Sequence, residues 1–400
     1  IQKENGVETQ KFDIVFLVGL TDNYYDENGK LQTAQRQTSE NQTIVTNGDT
    51  YTVHPAFTNE SSINYANGGW DKELAGIWVA KFEAGYASGN NSATVKASSV
   101  NYSQDTAILP GVETNTNEDS IQAARNWLDG EYGSTTTAIK YPTFQGLTYS
   151  MNYINHNDAY RISKVLTESG NIYGLNSSST DSHLMKNSEW GAVSYLSQSK
   201  YGLDGTNIVI NSVYLNNTTK SVYAVTGCAS STADASAVST TIGALNNRTQ
   251  SGVYVWKQKN GIGASSTGTI YGIYDMSGGT WERTAAIVNN GHESLDIYGK
   301  EMMDALNNGK SSAYVTVYPT GETKDQSLDD ASKSNYAANT KIYGDAIRET
   351  STAGLGQTSW YSDYSYFVGA LLPFFERGGV FWNTGGAGLF WFSRNGGNSV

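Results

Sequence analysis

The sequence predicts an α+β fold in which two helices sit among many short strands and polar loops. Three observations lead there. Two segments repeat apolar residues at helical spacing, and the other apolar stretches are short and bounded by turn residues. The composition sets 27 Tyr, 9 Trp and 11 Phe beside 42 Gly and only 5 Pro. Large rings supply a core and frequent glycine supplies turns, as in loop-rich domains. At 400 residues the chain suits one large domain or two modest ones.

From about Phe12 to Phe82 the pattern is strands and loops. Ile14 to Leu20 is an apolar run of strand length, and Asp26-Glu27-Asn28-Gly29 is a turn marked by its Asn-Gly pair. Tyr51-Thr52-Val53 leads as a strand into His54-Pro55, and Ile77 to Glu83 alternates like a half-buried strand. Residues 86–120, rich in Asn, Ser and Thr, form an exposed excursion. The first helix spans Asn157 to Ser169, with Ala159, Ile162, Val165 and Leu166 on one face and a Ser-Gly pair at its end. The second runs from Asn187 to Lys200 with Ser188 as N-cap, Ala192, Val193 and Leu196 behind it, and a stop at Gly202. Residues 204–270 alternate short strands with polar loops, the small-residue tract Ala229 to Ser239 being an insertion loop. Charge and polar content rise again over 302–358, and Tyr364 to Phe392 is dense in aromatics and glycine. No repeat of solenoid period is present.

The formal charge is −12 and no Lys/Arg run occurs, so the basic stripe that neutralises phosphates is missing and nucleic acid is excluded as a partner. No stretch of 18 apolar residues exists, which leaves no membrane span in the given chain. A single cysteine, Cys228, excludes an internal disulfide framework and a zinc site of several thiolates. Ile1 in place of Met points to a removed leader or anchor. Sparse charge with abundant Asn, Ser, Thr, Gly and Tyr suits an extracellular surface better than a metabolic enzyme.

Three blocks occur in order: Leu184-Met185-Lys186-Asn187-Ser188-Glu189-Trp190-Gly191-Ala192-Val193-Ser194-Tyr195-Leu196, then Gly272-Ile273-Tyr274-Asp275-Met276-Ser277-Gly278-Gly279-Thr280-Trp281-Glu282, then Arg377-Gly378-Gly379. With Gly76 to Glu83 near the front, they resemble the formylglycine-generating-enzyme (sulfatase-modifying) version of the C-type lectin fold over roughly residues 50–400. That resemblance implies a C-type-lectin-like fold of two helices packed on short twisted antiparallel sheets with many loops. Trp190, Tyr274, Trp281 and Phe82 are read as core packing, which identifies a scaffold and not a function. The resemblance also implies, for residues 51–83 and 183–200, likeness to Clostridia-type surface proteins that carry this domain behind a pilin-like hydrophobic N-terminus.

The enzymatic chemistry of that family does not carry over. Its oxidases use a cysteine pair, whereas Cys228 is the one thiol and lies outside every block. Its iron-dependent members use a histidine cluster, whereas His54, His156, His183 and His292 are scattered with no i, i+4 pair. No nucleophile elbow, phosphate-cradling loop or carboxylate dyad is evident. The family often holds calcium near its Trp-Glu block; here Glu282 is present, with Gly279 in place of the usual Asn. No cofactor is required, and calcium at Glu282 is the one candidate.

Residues 377–399 resemble the variable region of target proteins of diversity-generating retroelements. The fixed frame of such a region would be Arg377, Gly378, Gly379, Ala387, Gly388, Phe390, Phe392 and Gly397. The interleaved, ligand-contacting positions would be Val380, Trp382, Asn383, Gly386, Trp391, Ser393, Arg394, Gly396 and Asn398. Strand alternation with Phe390 and Phe392 inward predicts Leu389, Trp391 and Ser393 outward, and Val380 and Trp382 together on one face. The competing reading is that Trp382 and Trp391 complete an aromatic core. The usual continuation of such a region to a Gly-Phe-Arg strand is missing before Val400.

The expected organisation is a strand and loop segment at 1–50, following a removed anchor or leader, and a lectin-like domain at 51–400. That domain carries insertions near 86–120, 204–250 and 302–358, and 377–400 is its variable region. The expected function is a non-enzymatic, hypervariable binding protein, diversified by a retroelement, on a bacterial cell surface or phage particle. Its partner is a protein or glycan on another cell or surface. The alternative is a fixed-specificity adhesin or carbohydrate-binding module, calcium-assisted through Glu282; a divergent sulfatase-modifying enzyme is a third, minor reading.

Overall fold

The computed structural model describes residues 2–4, 7–10, 23–26, 28–33, 35–37, 43–46, 49–52, 54–57, 69–70, 74–85, 142, 144–147, 150–151, 154–169, 171, 173–216, 222–230, 253–307, 313–339 and 342–398. Its centre is built on Glu282–Val288 (β1), whose run Thr284-Ala285-Ala286-Ile287-Val288 is buried throughout. A strand without a polar face must be covered on both sides, which places it inside a sheet. Thr316–Tyr318 (β2), Leu355–Gly356 (β3), Ser365–Tyr366 (β4), Phe374–Arg377 (β5) and Phe392–Asn395 (β6) complete a six-stranded sheet in the order β2-β1-β5-β6-β4-β3. β1 pairs with β5 and β5 with β6 antiparallel, while β1–β2 and β4–β6 are parallel. The sheet is therefore mixed, not the antiparallel arrangement expected from the sequence.

Side-chain alternation along β1 sorts the core into two faces. Ala286 and Val288 pack with Tyr318, Phe367, Phe375 and Phe392. Ala285 and Ile287 pack on the opposite side with Phe374, Tyr160, Leu295 and Met302. Helices His156–Lys164 (α1), Glu293–Tyr298 (α3) and Lys300–Asn307 (α4) supply the last three of those, and Leu328–Ala338 (α5) covers the first face through Tyr336. Asn187–Gln198 (α2) contributes Trp190 and Val193 to a third cluster with Met276, Trp360, Leu389 and Phe390.

The expected helices are present with shifted ends. The first is α1 followed by a 3-10 turn at Val165–Thr167. At the second, Ser188 is not the N-cap: it is buried inside the first turn, and its hydroxyl has no hydrogen-bond partner. Lys186 holds the cap position, and its backbone N–H donates to Glu189 Oε2 at 2.9 Å. A carboxylate three residues into a helix reaches back to the cap more effectively than the hydroxyl of a residue already helical.

Around Asp26 the expected turn joins Asn23–Tyr25 to Leu31–Thr33, with Gly29 at φ 73° and its N–H donating to Asp26 O at 2.9 Å. Residues Ile77 to Glu83 form no strand; their backbone makes isolated contacts, such as Tyr274 N to Lys81 O, in place of a ladder. Ala229 and Ser230 are not loop but buried strand, paired with Tyr254 and Val253. The polar tract 302–358 is not only surface: it supplies β2, α5 and β3, and Tyr318 and Tyr336 to the core. Its exposed helical face raised its average polarity and hid them. The apolar run at 14–20 and the excursion at 86–120 lie outside the described residues. Among the described residues no helix is long and apolar enough to cross a membrane.

Candidate ligand-binding site

The closing segment leaves β5 at Arg377, whose guanidinium is fully buried. Its Nε donates to Trp391 O at 3.0 Å, Nη1 to Asp345 O at 3.0 Å and Nη2 to Ala346 O at 3.3 Å. Burial draws its pKa down to about 10, against the pull of Asp345. A planar fork of donors suits three carbonyls where a lysine would reach one. Arg377 thus fastens the segment's far end, at Trp391, to the loop at 345–346.

Gly378 and Gly379 follow at φ 77° and 78°, a backbone region that side chains disfavour. Gly378 O accepts from Gly278 N at 3.0 Å and from Gly388 N at 3.1 Å, so one carbonyl ties the second sequence block to both ends of the segment. At Gly388 a Cβ would stand 2.1 Å from Asp363 Oδ2, the oxygen that also accepts from Phe390 N at 3.0 Å. Phe390 and Phe392 are fully buried, Phe390 against Trp360 with ring centroids 5.0 Å apart. Every residue of the expected frame, including Ala387 and Gly397, is buried.

Between the frame's halves, Phe381–Gly386 is a 3-10 turn broken at Thr384, which has φ 51° and ψ −131°. Asn383 Oδ1 accepts from Val380 N at 2.8 Å and closes the turn's entrance. The turn sends Phe381 inward and Trp382 outward. Trp382 is 48% exposed and stands edge-on to Trp281, with centroids 5.1 Å apart. Gly385 is exposed, and a Cβ there would meet nothing within 4 Å.

The nine expected contact positions do not share one surface. Trp382 is exposed; Asn383, Ser393, Arg394, Gly396 and Asn398 are half-buried; Val380, Gly386 and Trp391 are buried. Trp391, expected outward, is only 4% exposed, and Leu389 is equally enclosed. The reason is that strand alternation begins at Phe392; residues 387–391 are loop covered on both sides. Val380 and Trp382 part company because the 3-10 turn intervenes, and Val380 packs with Phe381 and Ala224. A Cβ on Gly386 would lie 2.5 Å from the Tyr364 ring. Arg394 is turned onto α5, donating to Asp329 Oδ1 at 2.6 Å, Ser332 Oγ at 2.7 Å and Leu328 O at 3.0 Å. The patch that remains open is Trp382, Gly385 and the half-buried Trp281. Of these, Trp281 was read from sequence as core and Gly385 was not singled out; a glycine in a glycine-rich stretch carries no signal of which way it faces.

Glu282 opens β1 opposite Arg377. Its Oε2 is buried and accepts no hydrogen bond. Glu83 accepts from the Ser150 hydroxyl and from Thr280 N at 3.1 Å, and Asp275 from Gly227 N at 2.9 Å and Asn211 Nδ2 at 3.0 Å. Burial first, then repulsion from Asp275 on Glu83 and from Glu83 and Asp275 on Glu282, pushes both glutamates well above the usual carboxylate range, and burial lifts Asp275 to about 6. Among the described residues no three His, Cys, Asp or Glu side chains are arranged to hold a metal ion.

The histidines stand apart. His156 is buried against Phe374, His183 pairs with Glu189 at 2.9 Å, and His292 caps α3 through Ser294 N; the Cys228 thiol is buried, and burial raises its pKa. No family model matches the chain, and neither a curated protein nor a solved structure does.

Proposed function

We propose that the chain is a non-enzymatic ligand-binding protein of an extracellular surface, bacterial or phage, built on a C-type-lectin-like scaffold of the formylglycine-generating-enzyme subtype. Its closing segment, 377–400, is a retroelement-diversified contact region. The observation that carries this reading is the division within the segment: the frame residues are buried and tied through main-chain carbonyls, while the turn between them turns Trp382 and Gly385 to solvent. Neither position takes part in the hydrogen bonds that hold the segment, although Trp382 packs edge-on against the buried Phe381, with ring centroids 4.5 Å apart. A tryptophan in a partner's pocket contributes roughly 2 kcal/mol or more. A patch this small gives modest affinity per copy, raised by display of many copies on one surface.

The test is a binding screen against intact cells and immobilised glycans, with the parent and Trp382→Ala compared at matched thermal midpoints. Loss of binding in the variant supports the reading; equal binding of every surface by both proteins sinks it.

A fixed adhesin or carbohydrate-binding module assisted by calcium is the second reading, favoured by the buried, unbonded Glu282 Oε2. Calcium there would draw on Glu282 and backbone carbonyls, the hard oxygen donors it prefers. Binding abolished by a chelator and restored by calcium would select this reading.

A further inference from the structure

The strand Val253–Val255 runs out into Trp256, whose ring packs against Phe82 and Tyr274, with centroids 5.4 and 6.3 Å away. The indole is half-buried, and two ammonium groups stand by it: Lys81 Nζ lies 4.2 Å from its centroid and Lys257 Nζ 4.9 Å. Lys81 also donates to Ile270 O. The Tyr274 hydroxyl lies 3.1 Å from Trp256 O and 3.3 Å from Thr269 O. These bonds fasten the loop at 269–271 to Lys81 and Trp256. The loop turns Ile270 and Tyr271 to solvent, and Tyr271 is 86% exposed. A ring held in water on a fastened loop offers a flat apolar face and a hydroxyl to a ligand.

The charge here runs against that of the chain. The net charge is −12, and Lys164, Lys300 and Lys333 each stand beside a carboxylate. Among the described residues Lys81 and Lys257 pair with none. Burial first, then repulsion from Lys257, draws the Lys81 pKa below its usual value. The shared indole offsets part of that repulsion through its ring face. An anion seated at the two ammonium groups would remove the rest and gain charge-assisted hydrogen bonds. A uronic acid carries its carboxylate on the sugar ring, so one residue can meet the ammonium groups and lay its C–H face on Tyr271. An acidic peptide carries its carboxylates on flexible methylenes and has no flat face to stack. A neutral glycan would stack but leave both cations unmatched.

We infer that this surface binds a uronate-bearing polysaccharide, with carboxylates at Lys81 and Lys257 and a sugar ring stacked on Tyr271. The inference does not rest on the closing segment, since none of Lys81, Trp256, Lys257 and Tyr271 belongs to the patch of Trp382, Gly385 and Trp281.

The experiment is titration calorimetry of the full chain, at about 0.15 M salt so that loose charge attraction is screened, with trigalacturonate and, separately, a glucuronate-containing hyaluronan tetrasaccharide. Saturable binding of either probe supports the site if Lys257→Ala and Tyr271→Ala each weaken it about tenfold or more and Trp382→Ala leaves it unchanged. Lys257 and Tyr271 are both exposed, so their replacement leaves folding intact. Binding of neither probe overturns the inference, as does binding that both variants leave unchanged. Equal binding of neutral galactotriose would overturn the role of the two lysines. Tighter binding of acetyl-pentaglutamate amide than of either uronate would assign the surface to an acidic peptide and overturn the glycan reading.

Discussion

Replacing Gly388 by Ala separates frame from surface most sharply. The added methyl would sit 2.1 Å from Asp363 Oδ2 and 2.3 Å from Oδ1, so the carboxylate must move. Moving it takes away the acceptor of Phe390 N–H, which is buried. An unsatisfied buried donor costs about 1–3 kcal/mol, and forced repacking adds about 1–3 kcal/mol; the loss should be about 2–6 kcal/mol. Gly385→Ala is the matched control, because its methyl meets nothing within 4 Å and its φ is not positive. Its effect should lie within about 0.5 kcal/mol of zero. Urea unfolding followed by tryptophan fluorescence and by circular dichroism reads both, the midpoint falling for Gly388→Ala and holding for Gly385→Ala. Equal midpoints for the two variants would refute the assignment of Gly388 to a packed frame.

Arg377→Lys should behave as a core lesion: one ammonium cannot reach the carbonyls of Asp345, Ala346 and Trp391 together, and a loss of about 3 kcal/mol in the same unfolding assay is expected. Arg394→Ala should cost about 1–2 kcal/mol by freeing the start of α5, while leaving ligand binding intact, since the guanidinium faces Asp329 and Ser332; a binding loss without a stability loss would contradict its inward role. Stability should fall as pH rises from about 5 to 9. Burial raises Glu376 to about 7 and Asp275 to about 6, so the folded chain holds protons that the unfolded chain has released. His183 adds to this: burial opposes its charge, but Glu189 outweighs burial and lifts it to about 9, a contribution complete below the unfolded value and lost as pH passes 9. Glu189, held near 2 by His183 and Lys186 against burial, contributes above its unfolded value and loses that contribution as pH falls toward 2. A thermal midpoint highest near pH 5 is the expected profile, and one that climbs from pH 5 to 8 would contradict it.

Where periodicity was strong, the chain could be read: α1 and α2 fall where apolar spacing put them, and Phe390 and Phe392 are core. The central strand was missed although its block was recognised, because Thr284-Ala285-Ala286-Ile287-Val288 alternates nothing; burial on both faces erases the period-two signal. β2 and α5 were hidden by polar residues that cover their outer sides. In the closing segment, strand alternation pointed to the wrong side chains. Alternation holds only where a strand exists, and residues 380–391 are a 3-10 turn and loop, in which Trp391 turns inward while Trp382 stays out. Which buried carboxylates lack donors is a property of the packed chain, and no local pattern announces it.

The central claim, that the closing segment is a diversified contact surface on a fixed frame, is tested most directly by deep sequencing of the gene's 3′ end in its native population, together with the flanking DNA. The account predicts a near-copy repeat and a reverse transcriptase nearby, with substitutions concentrated at adenine-templated codons such as that of position 382. Codons for Arg377, Gly378, Gly379, Gly388, Phe390 and Phe392 should stay fixed. An invariant segment with no repeat beside it would contradict the account.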